Sequence, residues 1–198
     1  MKILICVKGI SERCPNKNMI LLPYTLEYCK DYDYTVITDD ASIVPTYAKD
    51  VYVEKRVEGQ SELDSCLKYA TENGLDRFIL LPVTHPLRDD DLIERVIDAD
   101  SDDIDFVTSY NIVAERSIFY IDNENHFINE TDGKCGRMCK EYRMINGAIY
   151  LIHTDFLKNT YGSNKLFWGG NFKAVENKSI FLDIDTNLDL NNFLKIKA

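Results

Sequence analysis

The sequence lacks the long apolar segment, the positive net charge and the glycine-rich motifs that would assign it to several large protein classes. No apolar run approaches the roughly 20 residues that a membrane span requires, so we expect no membrane-embedded segment. Its 198 residues include 33 Asp and Glu against 23 Lys and Arg, a net charge of −10. This negative field repels phosphate polymers and argues against a nucleic-acid partner or an anionic membrane surface. Neither the G-x-G-x-x-G nor the Walker pattern occurs, which disfavours a dinucleotide-binding or P-loop protein.

A secretory segment and a complete set of metal-binding cysteines are also missing. The chain passes from Met1 directly into an apolar strand pattern without a cleavage region, so we expect a cytoplasmic protein. Cys135 and Cys139 have no second pair that would complete a zinc site, which favours a thiol pair in a loop over metal binding. Three other cysteines stand in apolar settings and are expected to pack as small core residues: Cys6, Cys29 and Cys66.

The first strand and the loop after it carry the main functional signal. Ile3–Val7 is a short apolar run rich in β-branched residues, which predicts a strand buried on both faces. The polar loop that follows holds three cations: Lys8, Arg13 and Lys17. Open α/β sheets bind nucleotide phosphates at the carboxyl end of such a strand, and three cations are enough to neutralise a triphosphate. The alternative is an ordinary basic connection, because a basic loop is not a specific motif.

Alternating strand and helix patterns over the first 109 residues predict a parallel sheet covered on both faces. Further strands are expected at 34–38, 51–53, 77–81 and 105–109. Helices are expected at 24–30, at 42–49, from a capping box at 61–64 to residue 73, and from 89–91 onward.

The pattern changes near residue 117. Strands are expected at 118–121, 148–152 and 180–182, with a long irregular loop at 122–142 and a closing helix at 187–196. We therefore expect one domain over residues 1–198, in which 117–180 forms an irregular extension.

Two pairs of carboxylates follow predicted strands. Asp183 and Asp185 lie two apart in an extended segment, so both project to one side, and such a pair beside nucleotide phosphates is typical of a Mg²⁺ site. The alternative is a helix N-cap region before Thr186, which explains one acid but not both. For Asp39 and Asp40 we favour the capping interpretation, with Asp40 as the cap of the next helix.

Two polar segments give weaker signals. The rigid turn at 82–88 would present Thr84, His85 and Arg88 to a cavity, although a turn histidine is more often solvated. Asn146 begins an apolar strand with a polar amide, and the alternative there is a turn with Gly147 as a bulge.

Five segments, in this order, resemble the acylneuraminate cytidylyltransferases, the CMP-sialic acid synthetases. KGISERCPNKN at 8–18 is similar to the family's R-x-G-S-K-x-x-P-x-K-N, ITDD at 37–40 to S-T-D-D, and LPVTHPLR at 81–88 to L-Q-P-T-S-P-L-R. NGAIY at 146–150 is identical to the family motif, and LDIDTNLDL at 182–190 is similar to I-D-I-D-x-x-x-D-L. The resemblance covers nearly the whole chain and implies a Rossmann-like nucleotide-diphospho-sugar transferase fold. This fold has a mostly parallel central sheet, helices on both faces and a small mixed β extension.

The chain departs from the family pattern in the basic loop and in the turn. Glu12 takes the place of the family's first lysine, with Arg13 one step along as a substitute. The other departures are Lys8 for an arginine, Ile10 for a glycine, Pro82 for a glutamine and His85 for a serine.

The resemblance implies a CTP-dependent cytidylyltransferase that uses Mg²⁺ to activate a sialic-acid-like sugar acid, for surface glycan biosynthesis, and that forms a homodimer. The triphosphate would be held by Lys8, Ser11, Arg13 and Lys17, and the metal by Asp183 and Asp185. The base would be lined by Asn18, Arg56 and Ser61, and the sugar acid by Thr84, Arg88, Asn146 and Arg143. Alternatives are a nucleotidyltransferase for another sugar or alcohol, and a non-catalytic nucleotide- or sugar-binding homologue, which Glu12 and Pro82 suggest.

Overall fold

The computed structural model of the protein describes residues 1–114, 119–121, 127–129, 141–160 and 170–197. The strands are β1 (Lys2–Val7), β2 (Tyr34–Thr38), β3 (Val51–Val53), β4 (Arg77–Leu80), β5 (Phe106–Ala114), β6 (Phe119–Ile121), β7 (Phe127–Asn129), β8 (Glu141–His153) and β9 (Phe172–Glu176). The helices are α1 (Lys17–Tyr28), α2 (Glu62–Glu72), α3 (Leu92–Ala99), α4 (Thr154–Thr160) and α5 (Asn187–Lys197). None of the helices in these ranges is long and apolar enough to cross a membrane.

Seven strands form one twisted layer in the order β3-β2-β1-β4-β8-β5-β9. All neighbouring pairs are parallel except those of β8, which runs antiparallel between β4 and β5. The short strands β6 and β7 pair with each other as a separate antiparallel hairpin. The expected α/β fold, with a mostly parallel sheet and a small β extension, is confirmed.

The side chains of β1 point alternately to the two faces of the sheet and contribute to the core on each face. Ile3, Ile5 and Val7 pack into a cluster with the buried sides of α1, α3 and α5, whereas Leu4 and Cys6 pack with α2 and α4 on the other face. A strand whose side chains are buried on both faces reads as a continuous apolar run, which is the signal that identified β1.

The strand order creates a crevice beside β1. The chain leaves β1 toward β2 and β3 on one side and later returns to place β4 on the other side. At such a reversal of strand order, the loops after the two central strands separate and leave an opening at the carboxyl end of the sheet. The basic loop after β1 and the turn after β4 therefore face the same opening.

Helix α1 begins at Lys17 and not at residue 24, so the predicted start was wrong. The helix runs through Pro23, because Leu21, Leu22 and Leu26 pack against the sheet. Burial of this apolar face offsets the backbone hydrogen bond that proline removes.

Other predictions had mixed outcomes. The capping box of α2 is confirmed: the Ser61 hydroxyl accepts from the Asp64 amide at 3.1 Å, and Asp64 accepts from the Ser61 amide at 2.8 Å. The helix at 42–49 reduces to a 3₁₀ turn at Ala41–Ile43, capped by Asp40. The strand predicted at 180–182 is absent, and the sequence analysis did not predict α4 or β9.

The expected extension at 117–180 contributes to the main sheet, because β8 and β9 lie within it and pair there. The predicted core cysteines Cys6, Cys29 and Cys66 are buried and free. The thiol pair Cys135 and Cys139 lies outside the described residues. Phe167 and Trp168, which the sequence suggested as a subunit contact, also lie outside them.

A β-bulge between β5 and β8 explains the polar start of the NGAIY segment. The register shifts between Thr108 and Tyr110, and Gly147 adopts a positive φ of 70°. The Asn146 carboxamide oxygen accepts from the Ser109 hydroxyl at 2.6 Å and from the Ala148 amide at 3.0 Å. The bulge interpretation of Gly147 is therefore the correct one.

Replacing Gly147 with alanine should destabilise the protein for two reasons. The positive φ disfavours any Cβ by about 1 kcal/mol, and a Cβ here would lie 3.1 Å from the His85 ring. Gly74→Ala is the matched control, since Gly74 has a φ of 62° and open space around its Cβ position. Urea unfolding should show a loss of about 1 kcal/mol for Gly74→Ala and of about 2 kcal/mol or more for Gly147→Ala. Equal losses would show that the imidazole does not occupy this space.

Candidate functional site

A cavity of about 370 Å³ opens at the carboxyl ends of β1 and β4. Its wall includes four cations, Lys8, Arg13, Lys17 and Arg56, and three carboxylates, Glu12, Glu62 and Asp185. In a chain with a net charge of −10, this local excess of positive charge is unusual and favours an anionic ligand. We call it the basic cavity. Six other predicted or neighbouring positions also line it: Ser11, Asn18, Gln60, Ser61, Pro82 and Thr84.

Two of the cations meet one carboxylate across the chain. Lys17, the first residue of α1, lies with its Nζ 3.2 Å from Asp185 Oδ1, and Arg13 Nη1 lies 2.7 Å from Asp185 Oδ2. Lys17 also donates to the Ile184 carbonyl at 2.7 Å and is only 8% exposed, whereas Arg13 is 72% exposed. The buried lysine is fixed at the floor of the basic cavity, and the arginine is held at its rim.

The segment that carries Asp185 is held in place by backbone and side-chain hydrogen bonds. The Ile184 amide donates to the Thr84 carbonyl at 2.9 Å, and the Ile184 side chain is fully buried. Upstream, the Asp89 carboxylate accepts from the amides of 178 and 179, each at 2.9 Å. The Asn111 carboxamide donates to the Ser179 carbonyl at 2.8 Å. These bonds hold the chain on both sides of 180–182, where the predicted strand is absent.

The basic loop is anchored at both ends. The Asn18 side chain donates to the Lys8 carbonyl at 2.8 Å, and the Gly9 amide donates to Asp39 Oδ1 at 2.7 Å. A Cβ at Gly9 would lie 2.6 Å from the Cβ of Asp40, so this close approach requires glycine. Asp39 and Asp40 thus have structural roles, as the sequence favoured. Lys8 forms no ion pair with any described residue, and its ammonium group is available to a ligand.

Cys14 links the same loop to the last helix. The Cys14 thiol is buried, and its Sγ donates to the Asn187 carboxamide oxygen at 3.0 Å.

At the other end of the basic cavity, a buried carboxylate holds Arg56. The Glu54 side chain is completely buried, and its Oε1 lies 3.4 Å from Arg56 Nε and accepts from Gln60 Nε2 at 3.2 Å. Two buried guanidinium nitrogens of Arg56, Nε and Nη2, have no hydrogen-bond partner among the described residues. Unsatisfied buried donors are costly, so an acceptor atom supplied by a ligand is the natural partner for this group.

Asp183 lies beside the basic cavity, close to Asp185. Burial raises the pKa of Asp183, and the negative charge of Asp185 raises it further. The positive charge of Lys17 opposes these effects. Two carboxylates that repel each other in this way form a suitable donor set for a hard divalent cation. Within the described ranges, no group of three or more histidine, cysteine or acidic residues suggests a metal site built from protein ligands alone.

Two predicted substrate contacts have structural roles and do not line the basic cavity. Arg88 is buried, and its guanidinium donates to the carbonyls of Ala148 and Pro82 at 2.8 and 2.6 Å. Burial lowers the pKa of Arg88 to about 10, although the Tyr28 ring lies 5.4 Å away and favours the cation. The Asn146 carboxamide oxygen accepts the hydrogen bonds of the bulge described above, and its Nδ2 donates to Asn111 Oδ1 at 2.7 Å. Neither residue lines the basic cavity, and their implied contact with a sugar acid stays a prediction.

Arg143, also implied for the sugar acid, lies on the exposed arm formed by β5 and β8. Its guanidinium carbon lies 5.1 Å from the centroid of the Tyr110 ring. This contact lies between β5 and β8, and Arg143 does not line the basic cavity.

His85 is more enclosed than the sequence indicated. Its side chain is 15% exposed, and its Nδ1 lies 3.0 Å from the Thr84 hydroxyl. Burial, with a contribution from the positive charge of Arg88, lowers the pKa of His85 to about 4. The ring is therefore neutral near pH 7 and belongs to the structured wall behind the basic cavity.

No protein-family model matches the chain, and no curated protein matches its sequence. Solved structures with a similar fold include CMP:2-keto-3-deoxy-manno-octonic acid synthetase complexed with CTP, with a TM-score of 0.74 and 14% identity over 98% of this chain and 97% of that one. The 2-C-methyl-D-erythritol 4-phosphate cytidylyltransferase of Thermus thermophilus has a TM-score of 0.65 and 14% identity, and the match covers 100% of this chain and 98% of that one. HddC from Yersinia pseudotuberculosis, complexed with GMP-PN, has a TM-score of 0.62 and 18% identity, and the match covers 100% of this chain and 99% of that one. At 14–18% identity, these structural similarities show the shared fold and nothing finer.

Asp185 partly neutralises the two cations it contacts, which generates a prediction about anion binding. Asp185→Asn should raise the affinity for tripolyphosphate without metal by about twofold to fivefold, since partly exposed ion pairs contribute roughly 0.5–1 kcal/mol. Titration calorimetry in EDTA measures this affinity. Asp98→Asn removes the same charge from an exposed position on α3 that does not line the basic cavity, and it should have no comparable effect. Equal gains in both variants would mean that only the net charge of the protein matters.

Proposed function

We propose that the protein is a Mg²⁺-dependent nucleotidyltransferase that transfers CMP from CTP to a hydroxyl of a sugar acid and releases pyrophosphate. The observation that carries this proposal is the meeting of Arg13 and Lys17 with Asp185 in one cavity at the reversal of strand order. Cations for a triphosphate and acids for its metal are then available at the place where open α/β sheets bind nucleotides.

The cations of the basic cavity suit the triphosphate. Lys17 and Arg13 are held in place by ion pairs, whereas Lys8 is available to the ligand. Together with Ser11 and backbone amides of the loop they would bind the phosphates and stabilise the charge on the departing pyrophosphate. Phosphoryl transfer of this kind depends mainly on positioning and on charge neutralisation.

Arg56 would bind the base. Its unpartnered Nη2 requires an acceptor, and a carbonyl oxygen of cytosine supplies one. Ser61 and Gln60 line the same end of the basic cavity. We propose CTP as the nucleotide because the sequence resembles cytidylyltransferases and because a fold neighbour, the octonic acid synthetase, is complexed with CTP.

Asp183 and Asp185 fit a hard divalent cation, because both present carboxylate oxygens, and burial together with the negative charge of Asp185 raises the pKa of Asp183. When bound there with the triphosphate, Mg²⁺ would supply charge neutralisation at the reacting phosphate. The chain itself orients these acids through Ile184, whose amide and carbonyl bond to Thr84 and Lys17.

In the reaction, the acceptor hydroxyl oxygen forms a bond to the α-phosphorus and loses its proton to solvent water. The bond from that phosphorus to the bridging oxygen of the β-phosphate breaks, and pyrophosphate leaves. Thr84 lines the basic cavity and would face the acceptor. The acceptor is proposed as a sugar acid from the sequence resemblance and from the fold neighbour that activates one.

A nucleotidyltransferase for another nucleotide or sugar is the second candidate. One fold neighbour is complexed with GMP-PN and another is named a putative glucose-1-phosphate thymidylyltransferase, so this fold accommodates several bases. A non-catalytic binding homologue is the third candidate, favoured by Glu12, an exposed acid on the wall of the basic cavity, and by Pro82.

The proposed function is tested by measuring pyrophosphate release with each of the four common nucleoside triphosphates, Mg²⁺ and a panel of sugar acids, sugar phosphates and alcohols. We expect release with CTP and a sugar acid, and none when EDTA is added. Release with a different triphosphate would support the second candidate. Thermal stabilisation by nucleotides without release in any mixture would support the third.

Lys17→Gln should raise the KM for CTP by about tenfold or more, because it removes a charge-assisted contact from the floor of the basic cavity. Steady-state kinetics with saturating acceptor measure the effect. Lys195→Gln, on the exposed side of α5, is the control and should leave KM unchanged. An unchanged KM in Lys17→Gln would remove Lys17 from the triphosphate site.

Asp185→Asn should lower kcat by about 100-fold or more and raise the Mg²⁺ concentration needed for half-maximal rate. This loss would accompany the tighter metal-free anion binding expected above, a combination that general unfolding would not produce. Full turnover with an unchanged Mg²⁺ requirement would contradict the metal assignment.

A further inference from the structure

His85 occupies an enclosed position directly behind the proposed metal-binding acids, where the resembled family has a serine. Its Nε2 lies 3.7 Å from Asp183 Oδ1, and its Nδ1 lies 3.0 Å from the Thr84 hydroxyl. The side chain is 15% exposed, whereas that of Asp183 is 43% exposed. Asp183 is therefore supported by the imidazole on one side and open toward the basic cavity on the other.

The surrounding backbone makes room for this ring and fixes it. A Cβ at Gly147 would lie 3.1 and 3.2 Å from two atoms of the imidazole, so the glycine of the bulge creates the space that the ring fills. The Phe181 ring lies 6.2 Å from the imidazole centroid. A solvated turn histidine, the alternative from the sequence, would not require such an arrangement.

We infer that His85 is a positioning residue that orients the Asp183 carboxylate for metal binding. This inference rests on the proposed function, because it assigns the metal to Asp183 and Asp185. His85 touches neither nucleotide nor acceptor in this role and acts only through Asp183. Groups that contact metal-binding carboxylates from behind commonly fix their orientation.

The imidazole approaches both Asp183 and Thr84. Its Nδ1 shares a hydrogen bond with the Thr84 hydroxyl at 3.0 Å, which holds the ring in place. Its Nε2 lies 3.7 Å from Asp183 Oδ1, which is longer than a hydrogen bond, so the ring acts on this oxygen by packing and by the attraction between an Nε2–H dipole and the carboxylate charge. The ring therefore faces one carboxylate oxygen and leaves the other available to the cation.

The test compares Mn²⁺ affinity in the unmodified protein and two variants by electron paramagnetic resonance, with CTP present. His85→Phe retains a ring but no donor, and it should weaken Mn²⁺ binding by about tenfold. His85→Asn retains a donor and should recover part of that affinity. Metal-free tripolyphosphate binding, measured by calorimetry, should be unchanged in both variants because Arg13 and Lys17 are untouched.

The outcomes separate this inference from the proposed function. If the unmodified protein binds Mn²⁺ and His85→Phe binds it equally well, the positioning role is wrong while the metal site stands. If the unmodified protein binds no Mn²⁺ with CTP, the metal assignment fails and the inference fails with it. A parallel loss of metal-free tripolyphosphate binding in His85→Phe would also overturn the role, because it would show a general disturbance of the basic cavity.

Discussion

The structure depends on one contact that joins the two ends of the chain: the Lys17 ammonium group bonded to the Ile184 carbonyl and paired with Asp185. It closes the basic cavity at its floor and sets the distance between the first helix and the last irregular segment. A buried lysine needs such partners, because removing its charge from water is costly without them. The same need that fixes Lys17 therefore brings a carboxylate to the place where a triphosphate and its metal would meet.

Buried polar residues near the basic cavity hold the segments around it together. Arg88 joins the turn after β4 to β8 through two carbonyls, and Asn146 stabilises the bulge that lets β8 bend away. Asp89 performs a similar task for residues 178 and 179. Motif residues in this chain thus divide into those that line the basic cavity and those that hold its walls, and only coordinates separate the two groups.

The sequence predicted most of the fold, because β1, β2 and the capping box of α2 carry strong local signals. It also predicted that Lys17 and Asp185 belong together, although only through a family resemblance. It failed where tertiary packing overrides local signals, as at Pro23 inside α1, and at 180–182, where the predicted strand is absent. The structural contacts of Arg88 and Asn146 could not be predicted, because a polar side chain near a strand end looks the same in sequence whether it faces a ligand or a backbone carbonyl.

The position of β8 has a consequence for how the protein is made. Because β8 fits between β4 and β5, a nascent chain that has emerged from the ribosome only through β5 has two strands awaiting the same missing neighbour. Pairings of this kind, distant along the chain, close slowly and leave unpaired strand edges exposed in the meantime. Synthesis must also reach Asp185 before the cations near the amino terminus gain their counter-charge. The end of the molecule that holds the basic cavity is therefore among the last parts to take shape, and a prematurely terminated product would lack it.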